Sequence, residues 1–303
     1  MPHTVHGLVP ILATPFETSG ALDLPGLARL TNFQLSSGVD GVATFGMASE
    51  GFALTAAERE RILSWIVDVV SGEVPVVAGV NGTSTTTAIE QALAAEQGGA
   101  ASLMVLPPFM VKPSAAQLID FYGDVASAVS IPVMVQDAPG ATGVTMPPAL
   151  IARLCELDGV DSVKVEAPPT APKTEAVAEL VPASIAVLGG QNAQFVLEEY
   201  ARGAVGTMPA CEFPDLLRPV LDSWAAGERP EARAAFARLT PLVLFGLQQG
   251  IAWAVHKEVL VRRGIIEHAT VRLPAAPLDE GSRAGLHAIL DELALPPLTA
   301  PAA

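Results

Sequence analysis

One unit repeats along this chain: a short apolar run, a loop with glycine or polar residues, and a helical stretch rich in alanine and leucine. The apolar runs begin near Leu8, Gly41, Pro75, Ser102, Ile131, Asp161, Ile185 and Val205. They lie roughly 20 to 35 residues apart, which is the length of a β-strand with its following helix. This repeat constrains the fold strongly, because strands connected through helices run parallel.

The apolar runs are almost uninterrupted, as in residues 74–78, 102–106 and 131–135. Strands with both faces buried have this composition, whereas strands with one solvent-exposed face alternate between apolar and polar residues. The eight runs fit closure into a cylinder better than an open sheet. The sequence therefore predicts the α/β class and a (β/α)8 TIM barrel.

After the eighth run the pattern becomes helical, and no further strand signal follows. The helical patterns cover residues 214–226, 230–250, 251–263 and 281–293. No linker or low-complexity tract separates them from the preceding units. We expect one compact domain, with the barrel over residues 1–213, a C-terminal helical extension over residues 214–303, and frayed residues at 296–303.

The charge balance constrains the partners, because 17 basic and 32 acidic side chains give a formal net charge of −15. Such a surface repels phosphate backbones, so we expect no nucleic-acid partner. The apolar stretches are shorter than the about 20 residues that span a bilayer, so we expect no membrane partner. The N-terminus shows no export signal, and Cys155 and Cys211 lack a disulfide or metal spacing, which favours a reducing, cytoplasmic location.

Lysine is rare in this chain, and only Lys164 lies within a predicted strand, in the run Val163-Lys164-Val165. TIM barrels carry their reacting groups at the carboxyl ends of strands. Burial favours the neutral amine, which is the form that attacks carbonyl groups. A buried lysine can also be a structural partner in a salt bridge, here with Glu50 or Glu166. Position alone leaves both interpretations open.

We expect no metal and no cofactor. The histidines lie at the N-terminus or in the helical extension, and the scattered carboxylates Glu50 and Asp137 indicate a polar network rather than a magnesium site. The glycine-rich loops at 79–82 and 189–190 match no phosphate-binding or dinucleotide-binding fingerprint. We interpret them as tight turns.

Several motifs occur in one order along the chain. They are Thr14-Pro15-Phe16, the loop 46–50 followed by Leu54-Thr55-x-x-Glu58-Arg59, residues 108–113, Pro139-x-x-Thr142-Gly143 and Val163-Lys164-Val165-Glu166. With them the chain resembles the dihydrodipicolinate synthase / N-acetylneuraminate lyase superfamily of class I aldolases, from about residue 7 to beyond residue 264. The resemblance implies that Lys164 forms a Schiff base with a small-molecule 2-keto acid. It also implies that backbone N–H groups of Met47, Ala48 and Ser49 bind the carboxylate of that acid, and that the protein is a homotetramer or homodimer.

The chain departs from this superfamily at positions that carry the proton relay. A Thr-Thr pair is replaced by Met47 and Ala48, two tyrosines by Gln136 and Met110, an asparagine by Asp137, and an arginine for a second substrate carboxylate by Ala141. These losses argue against dihydrodipicolinate synthesis and against ordinary neuraminate lyase chemistry. Residues 135–139 and 164–168 instead resemble the branch of L-2-keto-3-deoxyarabonate dehydratase-like enzymes.

We therefore predict a hydro-lyase that removes water from a 2-keto-3-deoxy sugar acid. The predicted catalytic residues are Lys164, Gln136 and Asp137, and the predicted substrate-binding residues are Met47, Ala48, Ser49, Glu50, Thr83, Glu166, Gly190, Gln191 and Thr207. The general acid and base stay open, because glutamine transfers no proton at neutral pH. The carboxylate candidates are Glu50, Asp137, Glu166 and Glu212, and for Glu50 and Glu166 we favour a purely orienting role.

Three alternatives remain at this point. A retro-aldol lyase would use the same imine but release pyruvate from a keto-deoxy sugar acid. A condensation like that of dihydrodipicolinate synthase would also begin at this imine. A non-catalytic barrel that binds a keto acid is compatible with a retained lysine and a lost proton relay.

Overall fold

A computed structural model describes residues 4–295, in which eight parallel strands form one sheet in the order β1-β8-β7-β6-β5-β4-β3-β2. The strands are β1 Gly7–Leu8, β2 Val42–Thr44, β3 Val76–Val80, β4 Ser102–Val105, β5 Val133–Asp137, β6 Val160–Val165, β7 Ala186–Gly189 and β8 Gly206–Thr207. Parallel bridges from Ile11 to Ala43 and to Ala210 join the two ends of this order. The predicted eight-stranded parallel architecture is confirmed.

Side chains alternate between two layers along each strand. One set, which includes Val77, Met104, Met134 and Leu188, packs in the interior of the barrel. The other set packs with the helices in a larger outer core. Both faces of the strands are therefore buried, which explains why the strand sequences are apolar without interruption.

The helices before β8 cover the outside of the strands. They are α1 Leu24–Ser36, α2 Ala56–Val70, α3 Thr85–Gln97, α4 Ala115–Ser127, α5 Pro139–Thr142, α6 Pro148–Leu154, α7 Thr170–Ala178 and α8 Val196–Tyr200. Helix α2 begins with a capping box, in which the Thr55 hydroxyl accepts from the Glu58 N–H and the Glu58 carboxylate accepts from the Thr55 N–H.

The chain after β8 contains α9 Pro214–Ala225, α10 Arg229–Phe245, α11 Ala252–Arg262 and α12 Glu280–Leu293. Helix α10 ends before the predicted residue 250, since Gly246 caps it and Gly250 adopts a positive φ of 89°. The residues 296–303, for which we expected fraying, lie outside the described residues. No helix within residues 4–295 combines the length and the apolar character needed to cross a membrane.

Candidate active site

Lys164 occupies the carboxyl-terminal part of β6, in register with Gln136 of β5 and Leu188 of β7. Its side chain faces the barrel interior and is almost fully buried, with 3% of the residue exposed. The amine Nζ lies 3.5 Å from Glu166 Oε1 and 3.9 Å from Met104 Sδ. Lys164 therefore has one carboxylate neighbour within ion-pair distance in the described chain, and that neighbour is Glu166.

Glu166 follows Lys164 by two residues and so projects to the same side of the chain. Gln136 Nε2 donates to Glu166 Oε2 at 2.7 Å, and the backbone N–H of Gln191 donates to Oε1 at 3.3 Å. The side-chain Nε2 of Gln191 also donates to the backbone carbonyl of Glu166 at 2.9 Å. A Cβ atom on Gly190 would lie 2.5 Å from Glu166 Oε1, so the glycine leaves room for the carboxylate. Five predicted site residues, with Lys164 among them, thus lie in one group around Glu166.

The turn after β7, which donates hydrogen bonds to Glu166, has an unusual backbone conformation. Gln191, Asn192 and Ala193 adopt positive φ angles of 48°, 52° and 61°. Such angles are costly for residues with a side chain and persist where surrounding contacts fix them. The Asn192 side chain supplies such contacts, because its oxygen accepts from the Ala210 N–H at 3.0 Å and its amide donates to the Val243 carbonyl at 3.2 Å.

A cleft opens beside this group of residues. It is lined by Phe45, Gly46, Met47, Phe52, Gly79, Val80, Asn81, Met104, Leu106 and Gln136. Most of these residues are apolar, and none carries a positive charge. Met104 and Gln136 also contact Lys164 and Glu166, respectively, so the cleft leads to the lysine. Phe45, Asn81 and Met104 are not among the predicted site residues, although the two-residue alternation of β4 places Met104 in the interior.

The loop after β2, residues 45–51, forms one wall of the cleft. Phe45 turns the chain with a φ of 61°, and Cβ atoms on Gly51 or Gly79 would lie 2.3 and 2.6 Å from its carbonyl oxygen. Neither the Met47 nor the Ala48 N–H donates to another group of the described chain. The Ser49 N–H, in contrast, donates to the Gly46 carbonyl at 3.1 Å. This leaves two backbone donors of the predicted carboxylate-binding loop available.

Three predicted site residues do not join the group around Lys164. Asp137 faces the helical layer, where it forms a 2.7 Å ion pair with Lys173 of α7. Burial raises the pKa of Asp137, and Lys173 opposes this change. Thr207 faces the same layer, because its neighbour Met208 packs in the interior. Thr83 is exposed and does not line the cleft.

Two further predicted carboxylates pair with the C-terminal helices. Glu50, fully buried, forms an ion pair with the equally buried Lys257 of α11, and its Oε2 accepts from the Arg272 N–H at 2.8 Å. Burial lowers the pKa of Lys257 to about 8, and Glu50 opposes this change. Glu212 lies 2.7 Å from the Nδ1 atom of His256. Glu50 and Glu212 therefore hold the C-terminal helices against the barrel, and Lys257, rather than Lys164, is the partner of Glu50.

One buried carboxyl group outside the cleft, that of Glu199, makes the stability of the folded protein depend on pH. Burial raises the pKa of Glu199 from 4.5 to about 7, and its only hydrogen-bond donor among the described side chains is the Thr170 hydroxyl at 2.6 Å. At pH values between these two pKa values, the Glu199 carboxyl group is protonated in the folded protein but ionised in the unfolded chain. The free energy of unfolding therefore falls as the pH rises through this range. We expect Glu199→Gln to reduce the loss of melting temperature between about pH 5 and pH 8. Glu198→Gln, at an exposed neighbour, is the control, and an unchanged pH dependence in Glu199→Gln would contradict the assignment.

A parallel eight-stranded barrel with a buried lysine near a strand end is compatible with the Schiff-base class of barrel enzymes, and comparison with known proteins agrees with this class. A model of the dihydrodipicolinate synthetase family matches residues 4–293. This chain belongs to that family and is a lyase of the Schiff-base type. The resemblance inferred from the motifs is confirmed.

Relatives within the family differ in the reactions that their names give. L-2-keto-3-deoxyarabonate dehydratase from Azospirillum brasilense is 34% identical over 300 residues, with 95% of this chain and 96% of that protein covered. 4-Hydroxy-tetrahydrodipicolinate synthase from Methylococcus capsulatus is 31% identical over 268 residues, with 86% and 91% covered. The crystal structure of dihydrodipicolinate synthase from Rhodopseudomonas palustris has a TM-score of 0.89 at 27% identity, with 95% and 98% covered.

Proposed function

We propose that this protein removes water from a 2-keto-3-deoxy sugar acid through an imine on Lys164. The observation that carries the proposal is the position of Glu166, which lies 3.5 Å from the amine and is held by Gln136. A carboxylate at this distance can exchange protons with carbon atoms next to the imine. The similarity to a 2-keto-3-deoxyarabonate dehydratase supports the same reaction.

The reaction begins when the uncharged Lys164 amine attacks C2 of the substrate. Loss of the C2 oxygen as water gives an iminium ion, which withdraws electrons from C3. The substrate carboxylate accepts hydrogen bonds from the free N–H groups of Met47 and Ala48 in this proposal. The remaining carbon atoms then extend into the cleft that leads from Lys164.

Glu166, for which the sequence alone favoured a purely orienting role, acts in this proposal first as base and then as acid, because its carboxylate lies 3.5 Å from the Lys164 amine. Its carboxylate takes a proton from C3, and the electron pair of that C–H bond forms the enamine. The enamine expels the C4 hydroxyl group, which leaves as water with the proton that Glu166 returns. A water molecule adds to C2 of the resulting unsaturated iminium ion, and release of the amine gives an unsaturated 2-keto acid that isomerises to the dioxo acid. Gln136 donates to Glu166 and so fixes its orientation.

The charge of the cleft favours this reaction over a condensation with a second carboxylated substrate. No lining residue carries a positive charge, the Arg59 guanidinium lies over the Phe45 ring and donates to the Gly79 carbonyl, and Lys112 donates to the carbonyls of Phe109 and Thr142. A second carboxylate would thus be desolvated without a partner. Elimination needs no second partner.

Product analysis tests the proposed reaction. We expect incubation with stereoisomers of 2-keto-3-deoxypentonate to give a product that has lost one water, detected by mass spectrometry. Release of pyruvate, detected with lactate dehydrogenase and NADH, would instead show a retro-aldol lyase. Binding of these acids with neither product would favour a non-catalytic barrel.

We also propose that residues 1–213 and 214–303 form one domain, in which the C-terminal helices are an extension of the barrel. The buried pair of Glu50 and Lys257 supports this, because its two residues come from the two parts. The homotetramer or homodimer stays a prediction.

A further inference from the structure

Helix α11 touches the wall of the cleft through an aromatic side chain. The indole N–H of Trp253 donates to the Met47 carbonyl at 2.6 Å. The Trp253 ring meets the Phe52 ring edge-on, with centroids 5.2 Å apart and planes at 76°. A residue from beyond β8 therefore contacts the loop after β2 at the residue whose N–H we assign to the substrate carboxylate.

A second contact of α11 lies one helical turn further on. Lys257 follows Trp253 by four residues, so both project from the same face of the helix. Lys257 is paired with Glu50, and both side chains are fully buried. Trp253 and Lys257 thus hold the two ends of the turn over residues 47–50. The two contacts have different roles. The buried ion pair of Glu50 and Lys257 contributes to folding, whereas the Trp253 indole N–H donates one hydrogen bond to a carbonyl in the wall of the cleft.

The Met47 carbonyl and the peptide groups around it set the direction of the free N–H groups. The Met47 carbonyl belongs to the same peptide plane as the Ala48 N–H, since the peptide bond is planar. This carbonyl also accepts from the Glu50 N–H at 3.0 Å. The hydrogen bond from Trp253 is a second one, and it further restricts the rotation of the Ala48 N–H. It also polarises the peptide group, which strengthens the N–H as a donor.

We propose that Trp253 is a positioning residue for the substrate carboxylate, acting through the peptide group between Met47 and Ala48. This inference rests on the proposed function, because it assumes that keto acids reach Lys164 with their carboxylate at this loop. It assigns a role in substrate binding to a residue of the C-terminal helices, which the sequence motifs do not include.

The test compares two ketones that differ in charge. Pyruvate carries the carboxylate, and pyruvamide replaces it with an uncharged amide. Borohydride reduces the imine of either ketone on the protein, and intact-mass spectrometry gives the ketone concentration for half-maximal labelling. For Trp253→Phe, which keeps the ring and removes the N–H donor, we expect this concentration to rise about 3- to 10-fold for pyruvate and to stay within about 2-fold for pyruvamide. Trp65→Phe, on the exposed side of α2, is the matched control and should change neither value.

The ratio of the two concentrations is an internal standard, because partial unfolding would weaken labelling by both ketones equally. Equal changes for pyruvate and pyruvamide, or no change for pyruvate, would overturn the role of Trp253. Absence of labelling in the unmodified protein would overturn the proposed function itself and the inference with it. The two failures are therefore distinguishable.

Discussion

Replacement of Lys164 by alanine is expected to lower kcat/KM for the elimination by at least about 10⁴-fold. Without the amine no iminium ion forms, and the C3 proton then has no electron sink beside it. The site has no substitute nucleophile, because the described lysines other than Lys164 are engaged elsewhere: Lys173 with Asp137, Lys257 with Glu50, and Lys112 with loop carbonyls. The measurement is the initial rate of water loss from the 2-keto-3-deoxypentonate that the unmodified enzyme accepts.

Lys112→Ala is the matched control for this experiment. It removes a lysine from an exposed loop and leaves Lys164 and Glu166 in place. We expect its rate to stay within about 10-fold of the unmodified enzyme, because the amine contacts only backbone carbonyls. Retention of activity in Lys164→Ala, with a melting temperature like that of the unmodified protein, would exclude imine catalysis at this residue.

The second large effect is expected at Glu166. Glu166→Gln keeps the shape of the side chain but removes the group that accepts and returns the proton. General acid and base catalysis typically contributes about 10²- to 10⁴-fold, so we expect kcat to fall by that factor. Imine formation with pyruvate requires only the lysine, so borohydride labelling of Glu166→Gln should still occur. This separation of binding from elimination is the signature of a proton-transfer role.

Asp137→Asn is compared with Glu166→Gln to show which of the two predicted carboxylates transfers the proton. Asp137 pairs with Lys173 behind the strand, so its loss should lower the melting temperature and reduce kcat by less than about 10-fold. A larger loss of kcat in Asp137→Asn than in Glu166→Gln would contradict the assignment of Glu166. It would restore Asp137 as the catalytic carboxylate.

Much of the fold could be predicted from local patterns. Continuous apolar runs predicted buried parallel strands, and the polar Lys164 within such a run marked the interior of the barrel. The two-residue alternation of a strand also places Glu166 beside Lys164 and places Asp137 opposite Gln136. We assigned both Gln136 and Asp137 to catalysis, but adjacent residues of one strand face different layers.

Contacts between distant parts of the chain could not be predicted in the same way. We predicted substrate binding for Glu50 because it lies in the loop after the second strand, yet it is fully buried and its partner Lys257 lies 207 residues later. The Trp253 contact with Met47 joins the same two regions. No local pattern specifies which helix of the C-terminal part packs on which strand loop, because that choice depends on the complementary shapes and charges of the assembled surfaces.

The most direct test of the central claim is peptide mapping after borohydride reduction of the unmodified protein with pyruvate, and then with 2-keto-3-deoxypentonates. We predict a single adduct on the peptide that contains Lys164, with the mass of the reduced imine. We expect no adduct when borohydride is added without a keto acid. An unlabelled protein with every keto acid, or a label on Lys112, Lys173 or Lys257 instead, would contradict the claim.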